Sequence, residues 1–202
     1  MSTASTLETS DVRESILATG QKIMAAKGFS AVGLSEILSA SRVPKGSFYH
    51  YFGSKDAFGE AMLERYFEAY LAELDTTLAL PGLTMGQRLM RYWQGWQQSQ
   101  SFLDCQGKCL AVKLGAEVAD LSEAMRLSLK RGTAGIVSRL AQAIAAGVAE
   151  GSLAIEGEVD STAHSLYQLW LGASLMAKIG RDGAPFDTAM HTTRQILRLP
   201  GQ

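Results

Sequence analysis

Apolar side chains along this chain recur at intervals of three and four residues, which is the spacing of one face of an α-helix. From Asp11 the positions Val12, Ile16 and Met24 follow this spacing, and the pattern stops at Gly28, a residue suited to a left-handed helix end. Strand-like alternation and internal repeats are absent from the sequence. The pattern therefore predicts an all-α protein.

Two short helices are predicted after the first one. Residues 34–40 present an apolar face that ends before Pro44, because the residue preceding a proline is disfavoured in a helix. Residues 45–52 place Phe48 and Phe52 four positions apart, so we expect both rings to face inward.

The rest of the chain predicts longer helices. Ser54 is placed to cap the first of them, with Asp56 in its first turn. Pro81 and residues 151–159 mark loops between later segments. The predicted helices cover residues 55–78, 85–100, 109 to beyond 122, 132–149, 161–179 and 186–197.

Composition limits where a charged partner could bind. The chain has 202 residues, enough for one domain or two small ones, and its formal net charge of -1 gives no overall attraction to nucleic acid. Residues 1–10 lack the features of a secretory signal, and no run reaches the roughly 18 uncharged apolar residues of a membrane span. We therefore expect a cytoplasmic protein in which any nucleic-acid surface is local.

A basic patch of this kind lies in residues 41–55. Its charged side chains are Arg42, Lys45 and Lys55, without an acid, and Tyr49 lies among them. Two short helices across a tight turn form the helix-turn-helix arrangement, whose second helix enters the major groove. An aromatic core segment beside a solvated lysine is the alternative.

The start of the second short helix is suited to a phosphate. Its first backbone N–H groups and the helix dipole favour an anion. Gly46 permits close approach, and Lys45, Ser47 and Tyr49 can supply side-chain donors.

The run GFSAVGLSEILSASRVPKGSFYHYFGSKDAF, residues 28–58, resembles the DNA-binding signature of the TetR/AcrR repressor family. The resemblance implies a homodimer in which residues 1–54 hold a three-helix DNA-binding domain for double-stranded operator DNA. Residues 55–202 would then form a helical bundle that dimerises and senses an inducer. The positions implied to contact DNA are Leu34, Ser35, Lys45, Gly46, Ser47, Tyr49, His50 and Lys55.

Two departures from the family pattern affect helix capping. Pro44 occupies a position where the family usually has a serine cap, and Gly33 occupies one that is usually threonine. We therefore expect weaker side-chain capping of both short helices. The resemblance also makes Gly172, Ala173 and Ser174, with residues 121–149, candidates for the dimer interface.

Cys105 and Cys109 are the two cysteines of the chain. Cys109 lies at a predicted helix start, with Lys108 and Lys113 nearby, and both features favour the reactive thiolate. Asp104 has the opposite effect on Cys105. Reactivity is thus expected at Cys109 rather than at Cys105, if the thiol is accessible.

Other roles for the two thiols stay open. Free cysteine is among the most buried residue types, so packing is one of them. A metal site would need His164 or His191, which have no ligand spacing, and a continuous helix would direct the two thiols poorly for a disulfide. We expect no metal and no cofactor.

The runs at residues 109–126 and 166–179 are similar to family members that sense reactive electrophiles and oxidants. The similarity implies that Cys109 is the sensor, with Lys178 as its charge partner or as a nucleophile toward oxidised sulfur. Cys105 is left as a possible accessory thiol. The resulting hypothesis is a repressor that leaves its operator when an electrophile or oxidant modifies Cys109.

Two alternatives to this hypothesis follow from other residues. A repressor induced by a noncovalent apolar molecule would use a pocket, although such aromatic residues more often form a core. The possible pocket residues are Trp93, Trp96, Tyr167 and Trp170. A thiol enzyme is the other alternative, but no catalytic base accompanies Cys109, so we predict that the protein is not an enzyme.

Overall fold

The computed structural model describes residues 3–99 and 110–199, with side chains from residue 11 onward. In these ranges the chain consists of helices joined by turns and short links, without a β-strand. The helices are α1 (Thr3–Lys27), α2 (Leu34–Ser41), α3 (Lys45–Phe52), α4 (Lys55–Leu78), α5 (Met85–Ser99), α6 (Leu110–Leu121), α7 (Glu123–Ala149), α8 (Val159–Gly180) and α9 (Ala184–Ile196). This confirms the predicted all-α fold.

The described helices belong to two compact units. Residues 3–67 and 110–130 form the N-terminal unit, and residues 68–99 and 131–199 form the C-terminal unit. Helices α4 and α7 each contribute residues to both. The N-terminal unit therefore includes α6, which the predicted division between residues 54 and 55 assigns to the sensor. That division concerns function and stays a prediction.

Aromatic and aliphatic side chains fill the core of the N-terminal unit. Phe48 of α3 is fully buried, and its ring centroid lies 5.1 Å from that of Phe52 and 5.4 Å from that of Phe58 on α4. Burial of each such ring stabilises the fold by roughly 1.5–3 kcal/mol. The inward orientation predicted for Phe48 and Phe52 is confirmed.

Local signals in the sequence set several helix ends. Gly28 has a φ of +95° and donates its N–H to the Met24 carbonyl at 2.8 Å, as expected for a left-handed end of α1. The Ser54 hydroxyl accepts the Ala57 N–H at 3.0 Å, which confirms the predicted cap of α4.

One predicted boundary is wrong. We expected one helix to continue past Ser122 and a separate helix to begin at Gly132. Instead, the helix is interrupted at Ser122, and α7 continues through Gly132. The Ser122 hydroxyl accepts the Met125 N–H at 3.5 Å and so caps α7. A glycine costs a helix about 1 kcal/mol relative to alanine, and burial of Ile136 and Leu140 on the same helix outweighs this.

Tryptophans of α5 and α8 form the core of the C-terminal unit. The rings of Trp93 and Trp170 stack with centroids 4.9 Å apart at 14°. Trp170 donates its indole N–H to Thr193 of α9 at 2.9 Å, and Trp96 donates its own to Ser174 at the same distance. These bonds satisfy two polar groups that burial would otherwise leave without partners. No described helix is both long and apolar enough to cross a membrane.

Candidate nucleic-acid interface

A three-residue turn joins α2 to α3. Arg42 adopts a left-handed conformation with a φ of 56°, and the Val43 N–H donates to the Leu38 carbonyl at 3.1 Å. Pro44 follows with a φ of −61°, the value that its ring fixes, in extended conformation before α3. These residues end one helix and start the next within a tight turn.

The two faces of α3 differ in exposure. Phe48 and Phe52 are buried, whereas Lys45, Tyr49 and His50 are exposed. The remaining predicted contact residues of α2 and α3 are exposed or half-buried: Leu34, Ser35, Gly46 and Ser47. The structure therefore brings these predicted residues together at the surface of one helix pair, although no DNA is present to test their contacts.

The exposed face of α3 combines a cation with an aromatic hydroxyl. The Lys45 ammonium lies 5.9 Å from the Tyr49 ring centroid, within cation–π range, and 46% of Tyr49 is exposed. Helix α3 contains no acidic residue. Ammonium and phenol groups both donate hydrogen bonds, so this face can bind phosphate oxygens.

The N-termini of both short helices lack side-chain caps in the described structure, at Gly33 for α2 and at Pro44 for α3. The expected weakness of capping is thus confirmed. Uncapped N–H groups at the start of a helix attract anions, and a phosphate can take the place of the missing cap.

Lys55 has a partner within the protein. Its ammonium donates to the Phe29 carbonyl at 2.8 Å and lies 4.5 Å from the centroid of the Phe29 ring. An ammonium carries three N–H donors, so this bond leaves room for another acceptor. The DNA contact of Lys55 stays a prediction.

The predicted sensor residues are only partly described. Cys105 and Cys109 lie outside the described residues, and Lys178 is exposed in the last turn of α8. The proximity of Lys178 to Cys109 therefore stays a prediction. Lys113, which we expected to act on the Cys109 thiol, donates its ammonium to the Ala26 carbonyl at 3.1 Å.

The four possible pocket residues are all buried in the C-terminal unit: Trp93, Trp96, Tyr167 and Trp170. Trp96 contacts both Tyr167 and Trp170, with ring centroids 5.9 and 6.2 Å apart. They form one aromatic cluster, and pocket lining stays a prediction. Within the described residues, the buried indole N–H of Trp93 has no hydrogen-bond acceptor.

The sequence prediction missed Glu117 on α6. Its carboxylate accepts the Phe29 N–H at 3.0 Å and the Ser30 N–H at 2.7 Å, in the link between α1 and α2. Partial burial raises the pKa of Glu117, but hydrogen bonds from Ser30 and Phe29 and the charge of Lys55 outweigh it, and the pKa lies below its ordinary value of 4.5. No local sequence pattern reveals this contact, because Ser30 and Phe29 lie 87 and 88 residues from Glu117 in the sequence.

Among the residues that the structure describes, no group of three or more histidine, cysteine, aspartate or glutamate side chains could hold a metal ion.

Two short helices across a tight turn, the second of them with a basic exposed face that carries no acidic residue, are the features of helix-turn-helix proteins. Residues 16–62 match the family model "Bacterial regulatory proteins, tetR family", and residues 86–193 match "Tetracyclin repressor-like, C-terminal domain". The chain belongs to the TetR family.

Relatives and solved structures agree with this assignment. The chain is 44% identical over 194 residues to the HTH-type transcriptional repressor NemR of Escherichia coli K12, covering 94% of this chain and 96% of NemR. It is 32% identical to the repressor DhaR of Mycobacterium sp. GP1, over 92% of each protein. The crystal structure of reduced E. coli NemR superposes with a TM-score of 0.90 at 43% identity, covering 95% of this chain and all of that one.

Proposed function

We propose that this protein is a cytoplasmic transcriptional repressor that binds operator DNA as a homodimer and is not an enzyme. The exposed basic face of α3 carries this proposal, because Lys45 and Tyr49 offer phosphate donors beside an uncapped helix start. Similarity to relatives named as transcriptional repressors over nearly the whole chain supports it.

Exposed apolar side chains on α8 support the homodimer. Leu175, Met176 and Ile179 are 50%, 54% and 67% exposed and lie within one turn of the helix. Apolar surface of this kind commonly marks an interface. Two copies would present two α3 helices to two half-sites, and a change in their spacing would release the DNA.

The proposed inducer is a reactive electrophile or oxidant. Cys109 directly precedes α6 in the sequence, and we propose that its thiolate is modified by electrophiles or oxidants, with Lys178 as a partner and Cys105 as an accessory thiol. With N-ethylmaleimide, the sulfur adds to the alkene and the neighbouring carbon takes a proton from water, so no oxidant is needed. The resemblance of residues 109–126 and 166–179 to family members that sense electrophiles and oxidants supports this assignment.

A second candidate is a repressor induced by a noncovalent apolar ligand. The buried Trp93 indole N–H, without an acceptor in the described structure, favours it, because a ligand oxygen could satisfy that group. The ligand would then bind in the C-terminal unit and leave Cys109 unmodified.

Cysteine variants distinguish the two candidates. The DNA upstream of the protein's own gene is titrated with wild type, Cys105→Ser and Cys109→Ser, each with and without N-ethylmaleimide. We expect the reagent to release wild type and Cys105→Ser but not Cys109→Ser. Release of Cys109→Ser by the reagent would contradict sensing at this residue, and salt-independent binding to every DNA would contradict the repressor itself.

A further inference from the structure

The link between α1 and α2 is held by a residue distant in sequence. One carboxylate, that of Glu117, accepts hydrogen bonds from two consecutive backbone N–H groups, at 3.0 Å from Phe29 and 2.7 Å from Ser30. Gly28 eases this approach, because a Cβ atom there would make a tight 3.1 Å contact with the carboxylate oxygen, and its φ of +95° itself favours glycine. Hydrogen bonds to an ionised carboxylate are roughly twice as strong as those between neutral groups.

Lys55 holds the other side of the same peptide. Its ammonium donates a hydrogen bond to the Phe29 carbonyl at 2.8 Å and lies over the ring of Phe29, a buried residue. The N–H and carbonyl groups of Phe29 are thus bound by opposite charges from two helices, α6 and α4. This fixes the orientation of the link that leads into α2.

A second charged residue of α6 contacts α1, the helix that precedes the link. Lys113, one turn before Glu117, donates to the Ala26 carbonyl at 3.1 Å, close to the end of α1. The cation Lys113 lies at the negative C-terminal end of α1, and the anion Glu117 lies at the N–H groups that follow. Each charge is therefore opposite to the partial charge of the backbone groups that it contacts. Both contacts depend on the position of α6, because hydrogen bonds weaken steeply beyond their normal distance and angle.

We infer that Glu117 is a positioning residue that ties α6 to the helix-turn-helix, with Lys113 in support. While α6 is in place, Glu117 holds the link and thereby the orientation of α2 and α3 for DNA. Displacement of α6 withdraws the carboxylate and frees the link. The inference rests on the proposed function, the modification of Cys109, and adds that this modification displaces α6, the helix that follows Cys109 in the sequence.

The test compares Glu117→Ala with Asp120→Asn. Asp120 is exposed on the same helix, so its variant removes the same charge without touching the link. We expect Glu117→Ala to weaken binding to the upstream DNA by about tenfold, and the control to stay within about twofold. Hydrogen exchange of the Phe29 and Ser30 amides should be faster in Glu117→Ala alone. Glu117→Gln, which keeps the side-chain volume, replaces it if the alanine variant does not fold.

N-ethylmaleimide distinguishes positioning from a structural role. If Glu117 transmits the state of α6, the reagent should release the variant by a smaller factor than it releases wild type, because part of the effect is already lost. Two results would overturn the inference. One is that the reagent lowers the DNA affinity of Glu117→Ala by the same factor as that of wild type, and the other is that untreated Glu117→Ala binds DNA as tightly as Asp120→Asn. If the reagent fails to release wild type, the proposed sensing fails, and untreated affinity and amide exchange still decide the role of Glu117.

Discussion

Helices α3 and α8 both carry aromatic residues, but the aromatic side chains lie in different environments. On α3, Tyr49 is 46% exposed beside the Lys45 ammonium, whereas Trp170 of α8 is fully buried and donates its indole N–H to Thr193. Aromatic content alone therefore does not separate a binding face from a core. The environment of the aromatic polar group separates them. The Trp170 indole N–H has an acceptor inside the protein, whereas Tyr49 is exposed beside the Lys45 ammonium.

Removal of the buried ring should have the largest effect on stability. We expect Trp170→Ala to lower the free energy of unfolding by about 3–5 kcal/mol, because it removes a ring stacked on Trp93 and leaves a cavity. Tyr49→Ala is the matched variant and should change stability by less than about 0.5 kcal/mol. Urea denaturation followed by circular dichroism measures both, and similar losses would show that the two helices do not differ in this way.

Acid should lower the free energy of unfolding by less than the Trp170→Ala substitution does, through the N-terminal unit. The pKa of Glu117 is lowered in the folded state, so its contribution to stability is present above its ordinary value of 4.5 and is lost as the pH falls through the folded-state value. Glu117→Gln should flatten this part of the dependence of unfolding free energy on pH. Glu123→Gln, at an exposed ion pair with Arg126, provides a comparison in urea titrations between pH 7 and about 3. An unchanged profile for Glu117→Gln would rule out this role of the carboxylate.

Local chemistry explains why much of the fold was predictable. The bounds of α3 and α4 are those predicted, because Pro44, Gly53 and Ser54 interrupt or cap helices by their own backbone preferences. The break at Ser122 was missed because Gly132 has the stronger intrinsic signal against a helix. Packing of α7 overrides that preference, and packing is not visible in a local pattern.

The candidate interface was partly predictable for the same reason. Cationic and hydroxyl side chains, with no acidic residue among them, indicated that the exposed face of α3 is the candidate interface. This pattern is visible in the sequence because the residues that form it are close together along the chain. The contacts of Glu117 and Lys55 with Phe29 join segments far apart in sequence. A pattern of neighbouring residues cannot specify such pairs, because tertiary folding brings them together.

A salt titration tests most directly whether the exposed face of α3 binds DNA phosphates. Binding of the upstream DNA is measured at several salt concentrations for wild type, Lys45→Ala and Lys22→Ala, the last removing an exposed lysine from α1. We expect Lys45→Ala to weaken binding by at least about tenfold and to reduce the log–log salt slope by roughly 0.9 for each phosphate that the variant no longer neutralises. Lys22→Ala should retain the wild-type slope. Equal affinity and slope for the two variants would contradict the account.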